Sequence, residues 1–217
     1  TGEELKDLAI NKKIRVLIVD DSLLFRETLA KEISRDLGLE VVGTASDPFA
    51  ARDMMIDLEP DVVTLDVEMP KMDGIAFLKK LMPQYPLPVI VVSSVAENVF
   101  DALNAGAVDF VTKPGFGKPG GMGSFINEII VKIKIASTAK VSSQKKNYVP
   151  VQALADTKAV AMDYVIAIGA STGGTEAIYN LVKAFPRDMP GIVVVQHMPP
   201  VFTKMYAERL NNSCRLE

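Results

Sequence analysis

Two groups of residues have the types and spacing to do chemistry. The first is spread over the amino-terminal half: Asp20 and Asp21 after one apolar run, Asp66 at the end of another, Ser93 after a third and Lys113 after a fourth. Three carboxylates brought together repel and raise one another's pKa unless a divalent cation offsets their charge. Oxygen-only ligands with room for water suit Mg²⁺ better than a softer metal, and the Glu68 backbone carbonyl supplies one more oxygen. In such a pocket Asp66 can act as a covalent phosphoryl acceptor, with the Ser93 hydroxyl and the Lys113 ammonium stabilising the transferred group. Taken singly, Asp20, Asp21 and Asp73 also read as helix caps or turn formers and Lys113 as a solvated charge. Their joint occurrence at strand ends favours the pocket.

The second group is compact. Gly169-Ala170-Ser171-Thr172-Gly173-Gly174 satisfies the G-x-S-x-G pattern, with small residues that permit a sharp turn and a helix amino end that stabilises negative charge. The sole histidine, His197, directly follows the next apolar run. On adjacent parallel strands the two share one sheet edge, Ser171 as nucleophile and His197 as base. A lone histidine is more often a surface or satisfied core residue, and the pairing reverses that preference. No Lys follows Gly173-Gly174 as a P-loop requires, and G-x-G-x-x-G is not matched. Asp188 is expected at the opposite sheet edge and is not assigned as the orienting acid.

The elements that must position these residues alternate strand and helix. Ile14–Val19, Glu40–Ala45, Asp61–Leu65, Pro88–Ser93 and 107–114 read as strands. Leu23–Leu37, Asp47–Asp57, the segment from Gly74 to about Pro83, Asn98–Ala105 and Ser124–Ile135 read as helices. This rhythm predicts parallel βα units, whose carboxyl strand edge is the ligand edge. From 138 to 162 the periodicity fades into Ser, Lys, Gln, Thr and Ala, which predicts a linker. Strands at 164–168 and 191–196 and helices at 175–184 and 201–210 follow, with a small-residue turn over 169–174.

The totals agree. With 217 residues, 48% hydrophobic and 24% charged, two globular domains are expected. A net charge of -3 provides no broad basic field, so no nucleic-acid partner is expected. No apolar run reaches the roughly 18–20 residues of a membrane span, and the first residues lack a signal-peptide pattern, so a cytoplasmic protein without membrane insertion is expected. The single cysteine, Cys214, excludes an internal disulfide and is expected half-buried.

At Val19-Asp20-Asp21-Ser22, Leu65-Asp66-Val67-Glu68-Met69-Pro70, Asp73-Gly74, Pro88–Ser93 and Lys113-Pro114 the chain resembles the receiver domain of bacterial response regulators. At 167–174 and at Val195-Gln196-His197-Met198-Pro199-Pro200 it resembles the start of the catalytic domain of the chemotaxis protein-glutamate methylesterases, the CheB family. The resemblance implies a tail over 1–12, a flavodoxin-like (βα)5 receiver over 13–137 with sheet order 2-1-3-4-5, and the first part of a Rossmann-like α/β methylesterase domain over 163–217. It implies a histidine kinase that phosphorylates Asp66, Mg²⁺ at Asp20, Asp21, Asp66 and Glu68, Ser93 contacting the phosphoryl group, and Phe110 as an aromatic switch. Phe110 reads equally well as plain core. It further implies that Ser171 and His197, with Thr172 nearby, hydrolyse glutamate methyl esters and deamidate some glutamines on chemoreceptors. The family's catalytic Asp lies downstream of Glu217, so the resemblance implies that this segment alone is nearly inactive. The other reading is a receiver serving as a phospho-switch or binding module, with a catalytically inactive partial effector domain.

Overall fold

The computed structural model describes residues 12–69, 72–95, 98–115, 121–141, 164–187 and 189–216. The tail apart from Lys12, most of the linker, Pro70 and the placement of Asp188 lie outside the described residues. The chain divides into two compact units, Thr1–Ser143 and Gln144–Glu217.

In the first unit β1 (Ile14–Val19), β2 (Leu39–Ala45), β3 (Val62–Asp66), β4 (Val89–Ser93) and β5 (Asp109–Thr112) form one parallel sheet in the order β2-β1-β3-β4-β5. This is the expected flavodoxin-like order. The helices are α1 (Leu23–Ile33), α2 (Pro48–Leu58), α3 (Gly74–Leu81), α4 (Val99–Asn104) and α5 (Gly121–Ala136). Every residue of β3 and β4 is buried, as continuous apolar runs covered on both faces require. One core cluster joins Val16 and Ile18 of β1 to Phe25, Leu29 and Ile33 of α1 and to Phe125, Ile129 and Ile133 of α5. The rings of Phe25 and Phe125 lie 5.6 Å apart across it.

Side-chain caps start α1, α2 and α3. Asp47 accepts from the Phe49 and Ala50 N–H groups, Asp73 from Ile75 N–H and Ser22 from Phe25 N–H. Each such cap is worth ~1 kcal/mol. The cap reading of Asp73 is therefore correct for that residue. Helix α1 stops at Ile33, short of the expected Leu37: after Ser34 the Arg35 and Asp36 N–H groups turn onto the Glu32 and Ile33 carbonyls, three residues back instead of four, and Leu37 is left 90% exposed.

In the second unit β6 (Ile166–Ala170) and β7 (Ile192–Gln196) pair in parallel, Ala170 beside Gln196. Helices α6 (Gly174–Lys183) and α7 (Pro200–Ser213) follow them. Strand β6 runs through Gly169 and Ala170, so the expected turn is shorter by those two residues. The hydrogen-bond ladder extends to the strand end despite their small side chains. The Tyr206 hydroxyl of α7 donates to the Thr175 carbonyl at 2.7 Å, which ties the two helices together. Cys214 is half-buried, and burial pushes its thiol pKa up. Among the described residues no helix is long and apolar enough to cross a membrane.

Candidate functional site

In the first unit the carboxyl edge of the sheet gathers the acidic residues. Asp66 is the last residue of β3, beside Val92 of β4, and its side chain is buried. Asp20 follows β1, also buried, and Asp21 is exposed beside it. Carboxylate oxygens of Asp20, Asp21 and Asp66 all lie within 4.8 Å of one another, a set that can hold a cation. Lys113, one residue past β5, reaches Asp66 Oδ2 at 2.6 Å and Asp20 Oδ2 at 2.7 Å, and its ammonium sits 4.9 Å from the centre of the Phe25 ring. The solvated reading of Lys113 is thereby excluded.

Local geometry fixes each group. Ser22 N–H donates to Asp20 Oδ1 at 2.9 Å and Glu68 N–H to Asp66 Oδ1 at 3.0 Å. Arg26 of α1, which no sequence motif marks, reaches back and donates to the backbone carbonyls of Asp20 at 2.6 Å and Asp21 at 3.1 Å. Helix α3 begins hard against the strand end: a Cβ on Gly74 would lie 2.2 Å from the Asp66 carbonyl oxygen. A side chain at this position would displace the residue that carries the central carboxylate.

Burial pushes the Asp66 carboxyl up to about 6, against the lowering effects of the Lys113 ammonium and the Glu68 N–H. Burial also works against the charge of Lys113, but its hydrogen bonds to Asp20 and Asp66 prevail and hold its pKa above that of a free lysine. Ser93 is buried at the end of β4, where its hydroxyl donates to the Val95 carbonyl and accepts from the Val95 N–H, both at 3.0 Å. It stands at the pocket edge, turned into its own loop. The Glu68 carboxylate meets the Ser94 hydroxyl. Phe110 is buried, with the Lys132 ammonium 5.1 Å from its ring centre and donating to its carbonyl at 2.6 Å. That buried Lys132 also pairs with Asp109 at 3.1 Å and Glu128 at 3.2 Å.

In the second unit Ser171 and His197 follow the paired residues Ala170 and Gln196, so they occupy neighbouring positions at one strand edge, both exposed. Gly173, with φ of 75°, turns the chain into α6. The two described carboxylates of this unit are otherwise engaged: Glu176 pairs with Arg209 at 2.7 Å and Glu208 with Lys204 at 3.9 Å.

Comparison with known proteins accounts for both edges. Residues 16–118 match the response regulator receiver domain family and residues 166–217 match the CheB methylesterase family. The chain is 59% identical over 208 residues to a protein-glutamate methylesterase/protein-glutamine glutaminase of Syntrophomonas wolfei, covering 95% of this chain and 60% of that one. The chain belongs to the CheB family. A second relative of the same name, from Syntrophotalea carbinolica, is 53% identical over 215 residues, covering 95% of this chain and 61% of that one. The chain thus spans about three-fifths of the length of these CheB-family relatives. Among solved structures, the response regulator domain of Thermotoga maritima CheB is 40% identical with a TM-score of 0.55, over 59% of this chain and 99% of that one. The CheX-CheY-BeF3-Mg²⁺ complex from Borrelia burgdorferi is 29% identical with a TM-score of 0.50, over 61% of this chain and 95% of that one.

Proposed function

We propose that this chain is the receiver and the opening part of the catalytic domain of a phosphorylation-gated protein-glutamate methylesterase and protein-glutamine glutaminase. Its substrates would be methylated chemoreceptors and its phosphodonor a histidine kinase. The observation that carries the receiver half is the convergence of Lys113 on Asp66 and Asp20 beside a third carboxylate.

The oxygen-rich cluster fits Mg²⁺, with the carboxylates of Asp20, Asp21 and Asp66 and the Glu68 carbonyl as its protein ligands. When bound, the ion would offset the charge of the carboxylates and of the arriving phosphoryl group. The Borrelia burgdorferi relative, solved with BeF3 and Mg²⁺, supports the same assignment. The ionised Asp66 carboxylate, which Lys113 favours against burial and which a bound cation would favour further, is the form competent to attack phosphorus. A P–O bond forms to Asp66 as the P–N bond to the donor histidine breaks, and the histidine leaves protonated. Lys113 is placed to neutralise charge on the transferred group. Ser93 must rotate out of its bond to Val95 to donate to a phosphoryl oxygen, and Phe110 would respond by changing its packing against Lys132.

At the other edge His197 takes the proton of the Ser171 hydroxyl as its oxygen attacks the ester carbonyl. Methanol, or ammonia from a glutamine, departs with that proton, and water then hydrolyses the acyl-serine. Thr172 belongs to the same turn and contributes backbone or hydroxyl contacts to the site.

The test uses the longest reading frame that contains this sequence. Methanol release from methylated receptor is measured with and without a phosphodonor and Mg²⁺. Release that rises with phosphodonor, disappears in Ser171→Ala and no longer responds in Asp66→Asn is the expected result. Labelling of Asp66 without any ester hydrolysis would replace this reading with that of a phospho-switch binding module.

A further inference from the structure

Gln196, the last residue of β7, has no role in the chemistry described so far. Its side chain points to the face opposite that of Val195, which is 66% exposed. Its Nε2 donates to the Ser171 carbonyl at 2.9 Å and to the His197 carbonyl at 3.3 Å. The Ser171 carbonyl also accepts from Gly174 N–H at 2.8 Å, and His197 N–H donates to the Ala170 carbonyl at 3.4 Å. One side-chain amide therefore bridges the backbones of the proposed nucleophile and base.

Stability is a poor reason for this amide. Gln196 Oε1 is buried with no hydrogen-bond partner among the described residues, and an orphaned buried acceptor is destabilising. An apolar side chain of similar length would fill the volume without that cost. The surroundings are nonetheless fitted to glutamine: a Cβ on Gly174 would lie 2.3 Å from Gln196 Oε1 and 2.5 Å from the Ala170 Cβ.

A trans peptide is planar, with its C=O and N–H pointing in opposite directions. No described peptide bond is cis. With the Ser171 carbonyl held by Gln196 and Gly174, the N–H of the same peptide, that of Thr172, is turned away from both. On a strand-to-helix nucleophile turn, the N–H of the residue after the nucleophile binds the developing oxyanion.

We propose that Gln196 is a positioning residue for the oxyanion site: it fixes the Ser171–Thr172 peptide so that the Thr172 N–H faces the charge that develops during ester attack. This rests on the reading of Ser171 as nucleophile. Losing an oxyanion donor costs ~10²–10³ in kcat, so losing only its orientation should cost about 10- to 100-fold.

The experiment compares wild type, Gln196→Met, Gln196→Glu and Ser171→Ala in the longest reading frame containing this sequence. It reads kcat, KM, melting temperature and inhibition by an alkyl boronate, which forms a tetrahedral adduct on serine. For Gln196→Met the expected result is a 10- to 100-fold lower kcat, unchanged KM and a parallel loss of boronate affinity. For Gln196→Glu the deficit relative to wild type should shrink as pH falls, because the protonated acid regains a donor. Ester hydrolysis retained by Ser171→Ala would remove the nucleophile reading and this proposal with it. An inactive Ser171→Ala alongside a Gln196→Met within twofold of wild type would overturn the Gln196 assignment alone. So would a kcat loss accompanied by a lower melting temperature and unchanged boronate affinity.

Discussion

Asp66→Asn isolates the electrostatic cost of the acidic pocket. Burial raises the Asp66 carboxyl from 3.8 to about 6 despite Lys113 at 2.6 Å. Because the folded-state pKa lies above the unfolded one, the contribution of this group to stability is complete below about pH 4. It is lost as pH rises through about 6. Two units of difference correspond to ~3 kcal/mol, which water at the pocket mouth reduces to roughly 1–3 kcal/mol. Asparagine keeps the shape, still accepts from Lys113 and carries no charge. In chelator the variant should therefore match wild type near pH 4 and exceed it by roughly 1–3 kcal/mol at pH 7.5. Exchange of the slowest amide hydrogens in β1, β3 and β4 reports the stability of this unit without interference from the other. Saturating Mg²⁺ should then favour wild type, by ~2.7 kcal/mol at a hundredfold excess over Kd, with less gain in the variant, which has lost a ligand. A difference that does not change from pH 4 to 7.5, or a more stable wild type at pH 7.5 in chelator, would refute the reasoning.

Lys113→Met removes the main group that lowers the Asp66 pKa, so the pH at which Asp66 becomes phosphorylatable should move upward relative to wild type; the pH profile of labelling by acetyl phosphate reports it. Lys132→Met strands Asp109 between β5 and α5 and should cost ~3–5 kcal/mol, most of it recovered by adding Asp109→Asn, as followed by urea denaturation. Gly74→Ala places a Cβ where the Asp66 carbonyl lies and should lower both the stability of the unit and the rate of phosphorylation, whereas an unchanged rate would mean that α3 moves aside freely.

Among the described residues, the periodicity of the sequence was sufficient for the order of the seven strands and seven helices along the chain, because the apolar runs are closed by turn formers or caps. It was weaker at the ends. The pattern carried α1 to Leu37, since a lone apolar residue in a terminal turn looks the same whether it packs or not. Strand β3 includes Asp66 itself, since backbone pairing with β4 outlasts the apolar side chains. The acidic pocket was legible because carboxylates ending apolar runs stand out. Arg26, Lys132 and Gln196 were not. Each works through backbone carbonyls brought near by the fold, and a charged or amide side chain on a helix or strand gives no sign of which carbonyl it will reach. The close approaches of Gly74 and Gly174 were equally hidden, because a glycine after a turn former is ordinary in a loop.

The shared core of β1, α1 and α5 bears on how this unit is made. Phe25, Leu29 and Ile33 emerge early in synthesis, yet the residues that cover them, Phe125, Ile129 and Ile133, belong to the last helix of this unit to be translated. While β2 to β5 are still being added, one side of β1 and the helix that follows it presents an uncovered apolar row of the kind that draws chaperones or neighbouring chains. The final helix therefore acts as a closing step, and a nascent chain that stalls before residue 121 exposes that row until it is degraded or resumes.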